Sequence, residues 1–205
     1  MPFTNTPSRS MRDERKLVVL DIDETLLHAS TTELDQPLDY RATRTFVYKR
    51  PHVDQFLRYC LQNYRVAVWT TASAQFAQEI FSEVFPIARE LEFIWSFEHC
   101  TDSLKANGDF NQKIKDLSKI ESQSIDLKNI VMIDDTAEKL RLNQTNLIHI
   151  SPFFGEQNDR ELLFLIEYLE TIKELDDIGE KNKQNWRQHL SCSYTGFDHH
   201  SVRVG

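Results

Sequence analysis

Residues 17–28 of the chain read Leu-Val-Val-Leu-Asp-Ile-Asp-Glu-Thr-Leu-Leu-His. The first six positions form a short apolar run, rich in β-branched residues, that is typical of a buried strand. Asp21 and Asp23 stand at the end of this strand. Because side chains alternate between the two faces of a strand, residues two positions apart point the same way. We therefore expect both carboxylates to project into one site.

The rest of the chain continues with alternating strands and helices. Further strands are predicted at 45–49, 65–69, 93–95, 127–133 and 147–150, and helices at 51–61, 74–84 and 158–172. Asn158 and Glu161 resemble a capping box at the start of the last helix. The alternation argues for an α/β domain with a mostly parallel sheet.

Polar residues follow three of these strands at the carboxyl ends, where open α/β sheets bind ligands. They are Asp21 with Asp23, the pair 70–71 (Thr-Thr) and the pair 134–135 (Asp-Asp). Four acids in one crevice repel each other strongly unless a cation is present. Oxygen-only ligands favour a hard ion, and Mg²⁺ commonly uses one or two carboxylates with water and substrate phosphate. The sequence therefore predicts a Mg²⁺ site.

Such a site suits phosphoryl transfer to a carboxylate. Mg²⁺ and a lysine can offset the repulsion between a carboxylate nucleophile and a phosphate. A covalent aspartyl-phosphate divides one difficult displacement into two easier ones. The second acid can protonate the leaving oxygen and then deprotonate the water that hydrolyses the intermediate.

Each of these features has a simpler interpretation when it is taken alone. The carboxylates at 21 and 23 could cap a helix or face solvent in a turn, and the threonines at 70–71 could cap a strand end. The pair 134–135 could cap a helix, and Lys115 would ordinarily be a solvated lysine. Their combination in chain order favours the functional interpretation.

That combination resembles a known superfamily. The order Asp21-x-Asp-x-Thr25, Thr71, Lys115, Asp134-Asp135 is similar to that of haloacid dehalogenases. Four segments resemble the FCP/SCP-type phosphatases within it, also called NLI-interacting-factor-like phosphatases: 21–28, Lys-Arg-Pro-His at 49–52, Thr-Ala-Ser at 71–73 and Lys-Asp-Leu-Ser at 115–118. The resemblance covers about residues 16–172. It implies a three-layer, Rossmannoid domain with a central parallel sheet, a small β insertion and no large cap.

The resemblance also implies roles for the acids. Asp21 would be the nucleophile and a metal ligand, and Asp23 would be the general acid/base and bind the metal through its backbone carbonyl. Asp135, where family members often have Asn, would be the third metal ligand. Asp134 would orient Lys115 or belong to the metal shell.

The remaining implied residues contact the substrate. Thr71, which begins the Thr-Ala-Ser triplet, would hydrogen-bond the phosphoryl group and is preferred to Thr70. Thr25 is also predicted to bind substrate. Lys115 would neutralise both the phosphoryl group and the nucleophile, as a catalytic and substrate-binding residue.

The substrate class follows from what surrounds the site. The stretch between Thr25 and Thr71 has room for a hairpin and not for a large helical cap. An open site can accept a protein side chain, so we predict a protein phosphatase that acts on phosphoserine/threonine or phosphotyrosine. Residues 96–111 are longer than in eukaryotic members and have Phe97 where an arginine is often found, so a polymerase-tail substrate is not carried over.

Two alternatives stay open at this point. A small-molecule phosphomonoesterase is favoured if residues 96–111 fold over the site. A phosphopeptide-binding pseudophosphatase is the other, although such a protein would usually have lost Asp21, Asp23 or Lys115.

Length and composition fit one globular domain with short flanking segments. The chain has 205 residues, of which 40% are hydrophobic and 27% charged. We predict a flexible leader at 1–15, the phosphatase domain at 16–176 and a tail at 177–205. The tail keeps Trp186, Tyr194 and Phe197, so it could dock on the domain.

Charge and cysteine content indicate the setting. A net charge of −8 argues against nucleic acid as a partner. The three cysteines are sparse and form no close pair, which argues against a disulfide framework and favours a cytoplasmic location. No apolar run approaches the length of a membrane span, so no membrane partner is expected. The sequence predicts no oligomeric state.

Overall fold

A computed structural model describes residues 13–103, 112–121, 125–179, 183 and 185–190. Most of the predicted leader and most of the predicted tail lie outside these residues, as do residues 104–111 of the loop predicted to border the site.

The described residues form short strands and helices in alternation. The strands are β1 Leu17–Leu20, β2 Leu27–Ser30, β3 Tyr40–Arg41, β4 Phe46–Lys49, β5 Arg65–Trp69, β6 Ile94–Trp95, β7 Thr101–Ser103, β8 Gln112–Ile114, β9 Ile130–Asp134 and β10 Leu147–His149. The α-helices are α1 Val53–Asn63, α2 Ala74–Glu79, α3 Ser118–Glu121 and α4 Glu161–Ile172.

A five-stranded parallel sheet lies at the centre, in the order β10-β9-β1-β5-β6. Strand β1 is its middle strand, and all four of its residues are fully buried. A strand covered on both faces needs apolar side chains at every position, which explains the continuous run at 17–20.

Two apolar cores cover the faces of this sheet. Val18 and Leu20 belong to the core that includes the buried residues of α1 and α4. Leu17 and Val19 belong to the opposite core, which contains Trp69 and residues of α3. The domain therefore has three layers around a central parallel sheet, and the predicted fold class is confirmed.

The predicted β insertion is a three-stranded antiparallel sheet in the order β2-β4-β3. It lies between Thr25 and Thr71, where the described residues also form α1 and β5 and contain no helical cap. A second, two-stranded antiparallel sheet pairs β7 with β8.

Some element bounds differ from the sequence prediction. The helix predicted at 74–84 is α-helical only to Glu79, after which Ile80–Val84 form a π-helical turn. The strand predicted from Leu127 begins at Ile130, because the Asp126 side chain accepts the Lys128 amide and Leu127–Asn129 form a 3-10 turn. Residues with a capping side chain favour such turns over strand extension.

The predicted capping box at 158–161 is wrong. The amide of Glu161 donates to Asp159 Oδ1 at 3.0 Å, and the Glu161 carboxylate instead accepts the Ser151 amide at 3.0 Å. A tertiary donor, the Ser151 amide, has thus replaced the local backbone amide that a capping box would use.

None of the helices in the described part of the chain has the length and apolar character needed to cross a bilayer.

Candidate active site

The register of the central sheet places Asp21 beside Asp134. Leu20 pairs with Ile133 of β9, and the Asp21 amide donates to the Ile133 carbonyl at 3.0 Å. Both aspartates are almost fully buried, with 1% and 0% of their surface exposed. Two predicted site residues from distant parts of the chain therefore meet at the carboxyl edge of the sheet.

Lys115 joins these two carboxylates. Its ammonium donates to Asp21 Oδ1 at 2.7 Å and to Asp134 Oδ2 at 2.6 Å, and its side chain is fully buried. Lys115 directly follows β8, and its amide donates to the carbonyl of Lys139 at 2.8 Å. A buried ammonium with two carboxylate partners is compatible with the predicted role of Lys115 as the counter-charge.

Lys139 provides a second ammonium group at the same acids, and it is not among the residues predicted from the sequence. It lies in the 3-10 turn Ala137–Leu140 that follows β9. Its Nζ is 3.1 Å from Asp21 Oδ2, 3.4 Å from Asp134 Oδ1 and 3.7 Å from Asp135 Oδ1. The available signal was the spacing of four residues between Asp135 and Lys139, which allows contact within one helical turn.

The two acids of β1 have pKa values displaced in opposite directions. Burial opposes ionisation of Asp21, but the charges of Lys115 and Lys139 outweigh it and hold the pKa of Asp21 below its usual value. Burial, together with the charges of Asp21 and Glu24, raises the pKa of Asp23 to about 7. One carboxylate is therefore kept ionised while the other can carry a proton near neutral pH, as a nucleophile and a general acid require.

Asp134 accepts two hydrogen bonds that fix its orientation, besides its ion pair with Lys139. Oδ2 accepts the Lys115 ammonium, and Oδ1 accepts the Thr136 amide at 2.9 Å. Burial and the charge of Asp21 raise the pKa of Asp134 against the opposing effect of Lys115. Its predicted role in orienting Lys115 agrees with this geometry and stays a prediction.

The three threonines of the site differ in their surroundings. Thr70 donates through Oγ1 to Asp23 Oδ2 at 3.4 Å and accepts the Ala72 amide at 3.0 Å. Thr71 is half-buried. Thr25 is fully buried, and its hydroxyl has no hydrogen-bond partner among the described residues. Of the two strand-end threonines, Thr70 is thus the one that contacts the predicted acid, while substrate binding by Thr71 and Thr25 stays a prediction.

Three carboxylates could hold a cation. Asp21, Asp134 and Asp135 each offer one oxygen, and these oxygens lie within 4.8 Å of one another. Asp135 Oδ1 is buried and has no hydrogen-bond partner in the described part of the chain. A buried carboxylate oxygen without a hydrogen bond, in a site whose possible ligands are all oxygens, fits a hard divalent ion. The side chain of Asp23 is not in this group, and its predicted carbonyl ligand stays a prediction.

Arg50 holds the loop that carries the site, a role that its place in the Lys-Arg-Pro-His motif does not predict. It is buried and donates to both carboxylate oxygens of Asp159 at 2.9 and 2.8 Å. It also donates to the carbonyls of Thr25 at 3.2 Å and Ser151 at 2.9 Å. Arg50 therefore joins the turn after β1 to the segment after β10.

The segment at 185–190 is connected to Asp135 through His149. The ring of Trp186 is buried, and its Nε1 donates to the His149 carbonyl at 2.8 Å. His149 Nε2 donates in turn to the Asp135 carbonyl at 2.7 Å. Two hydrogen bonds thus connect the docked segment to a candidate metal ligand.

Comparison with known families identifies the chain. The model of the NLI interacting factor-like phosphatase family matches residues 16–179. The chain belongs to this family. The predicted recognition is therefore confirmed, as is the predicted enzyme class, a protein phosphatase of the haloacid dehalogenase type.

Relatives in the family come from animals, Dictyostelium discoideum and a virus. The chain is 29% identical over 197 residues to "CTD nuclear envelope phosphatase 1" of Xenopus tropicalis, covering 89% of this chain and 77% of the relative. It is 30% identical over 186 residues to "Putative CTD phosphatase-like protein 355R" of Invertebrate iridescent virus 3, covering 78% of this chain and 98% of the relative.

A solved structure of Fcp1, an RNA polymerase II CTD phosphatase, has a similar fold. Its TM-score is 0.51 at 18% identity, and the match covers 84% of this chain but only 56% of the Fcp1 chain. This likeness supports the fold and carries no argument about substrate.

The predicted cytoplasmic location is wrong by these comparisons. Relatives from Xenopus tropicalis, Xenopus laevis and Danio rerio are named nuclear envelope phosphatases. The prediction rested on sparse cysteines, which indicate a reducing environment. Because several intracellular compartments share that environment, cysteine content could not choose among them.

Proposed function

We propose that this chain is a Mg²⁺-dependent phosphoprotein phosphatase that works through an aspartyl-phosphate on Asp21. One observation carries the proposal: the buried Asp21 carboxylate, held ionised by lysine, lies two residues from Asp23, whose pKa is raised to about 7. Family membership and the phosphatase names of the relatives support the reaction class.

In the first step an Asp21 carboxylate oxygen attacks the phosphorus of the substrate. The bond between phosphorus and the leaving oxygen breaks, and protonated Asp23 gives its proton to that oxygen. Lys115, which lies 2.7 Å from Asp21 Oδ1, offsets the negative charge that accumulates near the nucleophile. The product is a free hydroxyl on the substrate and a phosphorylated Asp21.

In the second step water hydrolyses the intermediate. The Asp23 carboxylate accepts a proton from the water as the water oxygen attacks phosphorus, and the bond from phosphorus to Asp21 breaks. Inorganic phosphate leaves, Asp21 regains its carboxylate and Asp23 its proton. Thr70, which donates to Asp23 Oδ2, helps to orient the acid through both steps.

The cation belongs with the three carboxylates described above. Asp21, Asp134 and Asp135 would hold Mg²⁺, since they provide only oxygen ligands and include the orphaned Asp135 Oδ1. Bound there, the ion would supply positive charge against the oxygens of the transferring phosphoryl group.

The surroundings favour a protein substrate over a small molecule. The insertion between Thr25 and Thr71 is a small sheet of three short strands, which leaves the approach to Asp21 without a helical lid among the described residues. A phosphorylated side chain projecting from a protein can enter such a site. The CTD phosphatase names of the relatives agree with a phosphoprotein substrate.

Peptide turnover tests the substrate class. Phosphoserine, phosphothreonine and phosphotyrosine peptides and a set of sugar phosphates are compared with Mg²⁺ and with EDTA, for wild type and Asp21→Asn. We expect Mg²⁺-dependent release of phosphate from peptides by wild type alone. Turnover of sugar phosphates but of no peptide would contradict the protein-phosphatase proposal.

The intermediate can be trapped in the Asp23→Asn variant. With p-nitrophenyl phosphate, whose leaving group needs little protonation, Asp21 is phosphorylated but hydrolysis is slowed. Acid quenching and peptide mass spectrometry should then find a phosphoryl group on the peptide that contains Asp21. A phosphorylated residue elsewhere, or activity in Asp21→Asn equal to wild type, would exclude Asp21 as the nucleophile.

A further inference from the structure

Lys139 occupies a distinctive position among the site residues. Its Nζ lies within 4 Å of a carboxylate oxygen on Asp21, Asp134 and Asp135, at 3.1, 3.4 and 3.7 Å. These are the same three side chains that supply the oxygens of the candidate cation site. The ammonium group thus faces each member of the predicted ligand set.

The two site lysines divide the carboxylate oxygens between them. Lys115 contacts Asp21 Oδ1 and Asp134 Oδ2, whereas Lys139 contacts Asp21 Oδ2 and Asp134 Oδ1. Only Lys139 also reaches Asp135. Lys115 therefore contacts none of the three carboxylate oxygens that Lys139 contacts.

The two lysines also differ in the solvent exposure of their side chains. The Lys115 side chain is 0% exposed, and the Lys139 side chain is 17% exposed. A fully enclosed ammonium has no route to water, while a partly exposed one can turn outward and be hydrated. Of the two, Lys139 is the one that can leave the carboxylates.

The Lys139 backbone is fixed, so such a movement involves the side chain alone. Its carbonyl accepts the Lys115 amide at 2.8 Å, and its amide donates to the Thr136 carbonyl at 3.1 Å. The side chain has four rotatable carbon links between this fixed backbone and the ammonium. Rotation about them can carry the charge to solvent without disturbing Lys115.

A divalent ion and an ammonium cannot share the same oxygens, because they repel each other strongly at such short distance. We propose that Lys139 is an internal cation that takes the place of Mg²⁺ in the metal-free enzyme and is displaced toward solvent when the ion binds. This inference rests on the proposed function, which assigns Mg²⁺ to Asp21, Asp134 and Asp135. It predicts that Lys139 holds the three carboxylates together when no metal is bound, and that the same contacts lower the affinity for Mg²⁺.

Calorimetry with Mg²⁺ on the metal-stripped protein tests the competition. Lys139→Met keeps much of the side-chain volume and removes the charge, so Mg²⁺ should bind about tenfold more tightly or better than in wild type. Lys139→Arg keeps the competing charge and should gain no affinity. Lys128→Met is the matched control, because Lys128 is exposed and precedes β9, at the opposite edge of the sheet from Asp134.

The outcomes separate this inference from the proposed function. Mg²⁺ binding to wild type with no gain in Lys139→Met, or with an equal gain in Lys128→Met, overturns the competition and leaves the proposed function standing. No Mg²⁺ binding in wild type and in Lys139→Met overturns the metal site itself and the inference with it.

Amine labelling of wild type provides a second measurement that does not depend on a variant remaining folded. The protein is treated with formaldehyde and a mild reductant, with and without Mg²⁺, and methylation of each lysine is measured by peptide mass spectrometry. We expect Lys139 to be labelled several-fold faster with Mg²⁺, while Lys115 stays protected in both conditions. Equal or slower labelling of Lys139 with Mg²⁺ would overturn the displacement.

Discussion

Arg50 and Asp159, which are 109 positions apart in the sequence, form a two-point ion pair with distances of 2.9 and 2.8 Å. Arg50 is fully buried in this pair, and Asp159 is 15% exposed on its side chain. The same guanidinium donates to the carbonyls of Thr25 and Ser151. It therefore joins the loop after the nucleophile to the segment after β10.

Loss of this arginine should therefore be costly. Arg50→Met removes the charged donor of the Asp159 carboxylate and of three backbone carbonyls, which we expect to reduce the free energy of unfolding by about 3–5 kcal/mol. Urea denaturation measures the change. Arg65→Met is the control, because the Arg65–Glu92 pair is partly exposed and should contribute only about 0–1 kcal/mol. Equal losses in the two variants would contradict the clamping role of Arg50.

Removal of Lys115 should destabilise the metal-free protein more than the metal-bound one. Lys115→Met removes the fully buried ammonium from Asp21 and Asp134 and leaves Lys139 as their shared cation, at an expected cost of about 3–5 kcal/mol in EDTA. Mg²⁺ should recover part of this loss because it binds the same acids, whereas phosphatase activity should remain absent. Denaturation curves in EDTA and in Mg²⁺ give both quantities.

A nearby lysine provides the comparison for Lys115. Lys113 lies on β8, the strand that Lys115 follows, its side chain is 33% exposed, and its partner Asp102 is 65% exposed. Lys113→Met should change the free energy of unfolding by less than about 1 kcal/mol. A Lys115→Met protein in EDTA that is as stable as Lys113→Met would mean that the buried ion pairs contribute little.

Replacement of Asp23 should affect substrates according to their leaving group. Asp23→Asn cannot donate a proton, so kcat/KM for a phosphothreonine peptide should fall by about 10²–10⁴-fold. The rate at which p-nitrophenyl phosphate phosphorylates Asp21 should fall much less, because nitrophenolate leaves without a proton. Rapid-quench measurements of the first step separate the two effects. An equal fall for both substrates would argue against Asp23 as the general acid.

The docked segment at 185–190 should contribute measurable stability. Trp186 is fully buried against Tyr168, with ring centroids 5.6 Å apart, so Trp186→Ala should cost about 3–5 kcal/mol. Trp186→Phe keeps most of the ring packing and loses the hydrogen bond to His149, at a cost of about 1 kcal/mol or more.

Leu142→Ala serves as the control for Trp186, because Leu142 is 58% exposed and should change stability by less than about 0.5 kcal/mol. Urea unfolding compares the three variants with wild type. A Trp186→Ala protein as stable as Leu142→Ala would show that the segment does not dock in solution.

The central strand illustrates what local sequence can reveal. Strand β1 was predicted because every residue from 17 to 20 is apolar, and the structure buries each one on a doubly covered sheet. The positions of Asp21 and Asp23 followed from the end of that run. The capping box at 158–161 failed, since a tertiary partner, Ser151, competes for the Glu161 carboxylate and a one-dimensional pattern contains no information about it.

The site residues likewise divide into those that the sequence predicts and those that only tertiary contacts reveal. The acids at 21, 23, 134 and 135 could be proposed from strand ends and from family resemblance. The spacing of four residues connects Lys139 with Asp135 alone, because nothing in its own segment reveals the buried carboxylate of Asp21.

The sequence by itself determined the order of the five central strands and of α1, α2 and α4, the strand ends that carry acids, and the family. These properties depend on neighbouring residues, whose spacing is fixed by the strand and helix periods. Only the tertiary structure decided which charges meet: the Lys139 ammonium reaches an Asp21 oxygen across 118 positions of sequence, and Arg50 reaches Asp159 across 109. Such contacts depend on strand register and on how the layers pack, which are settled by burial of the whole core and not by any one segment.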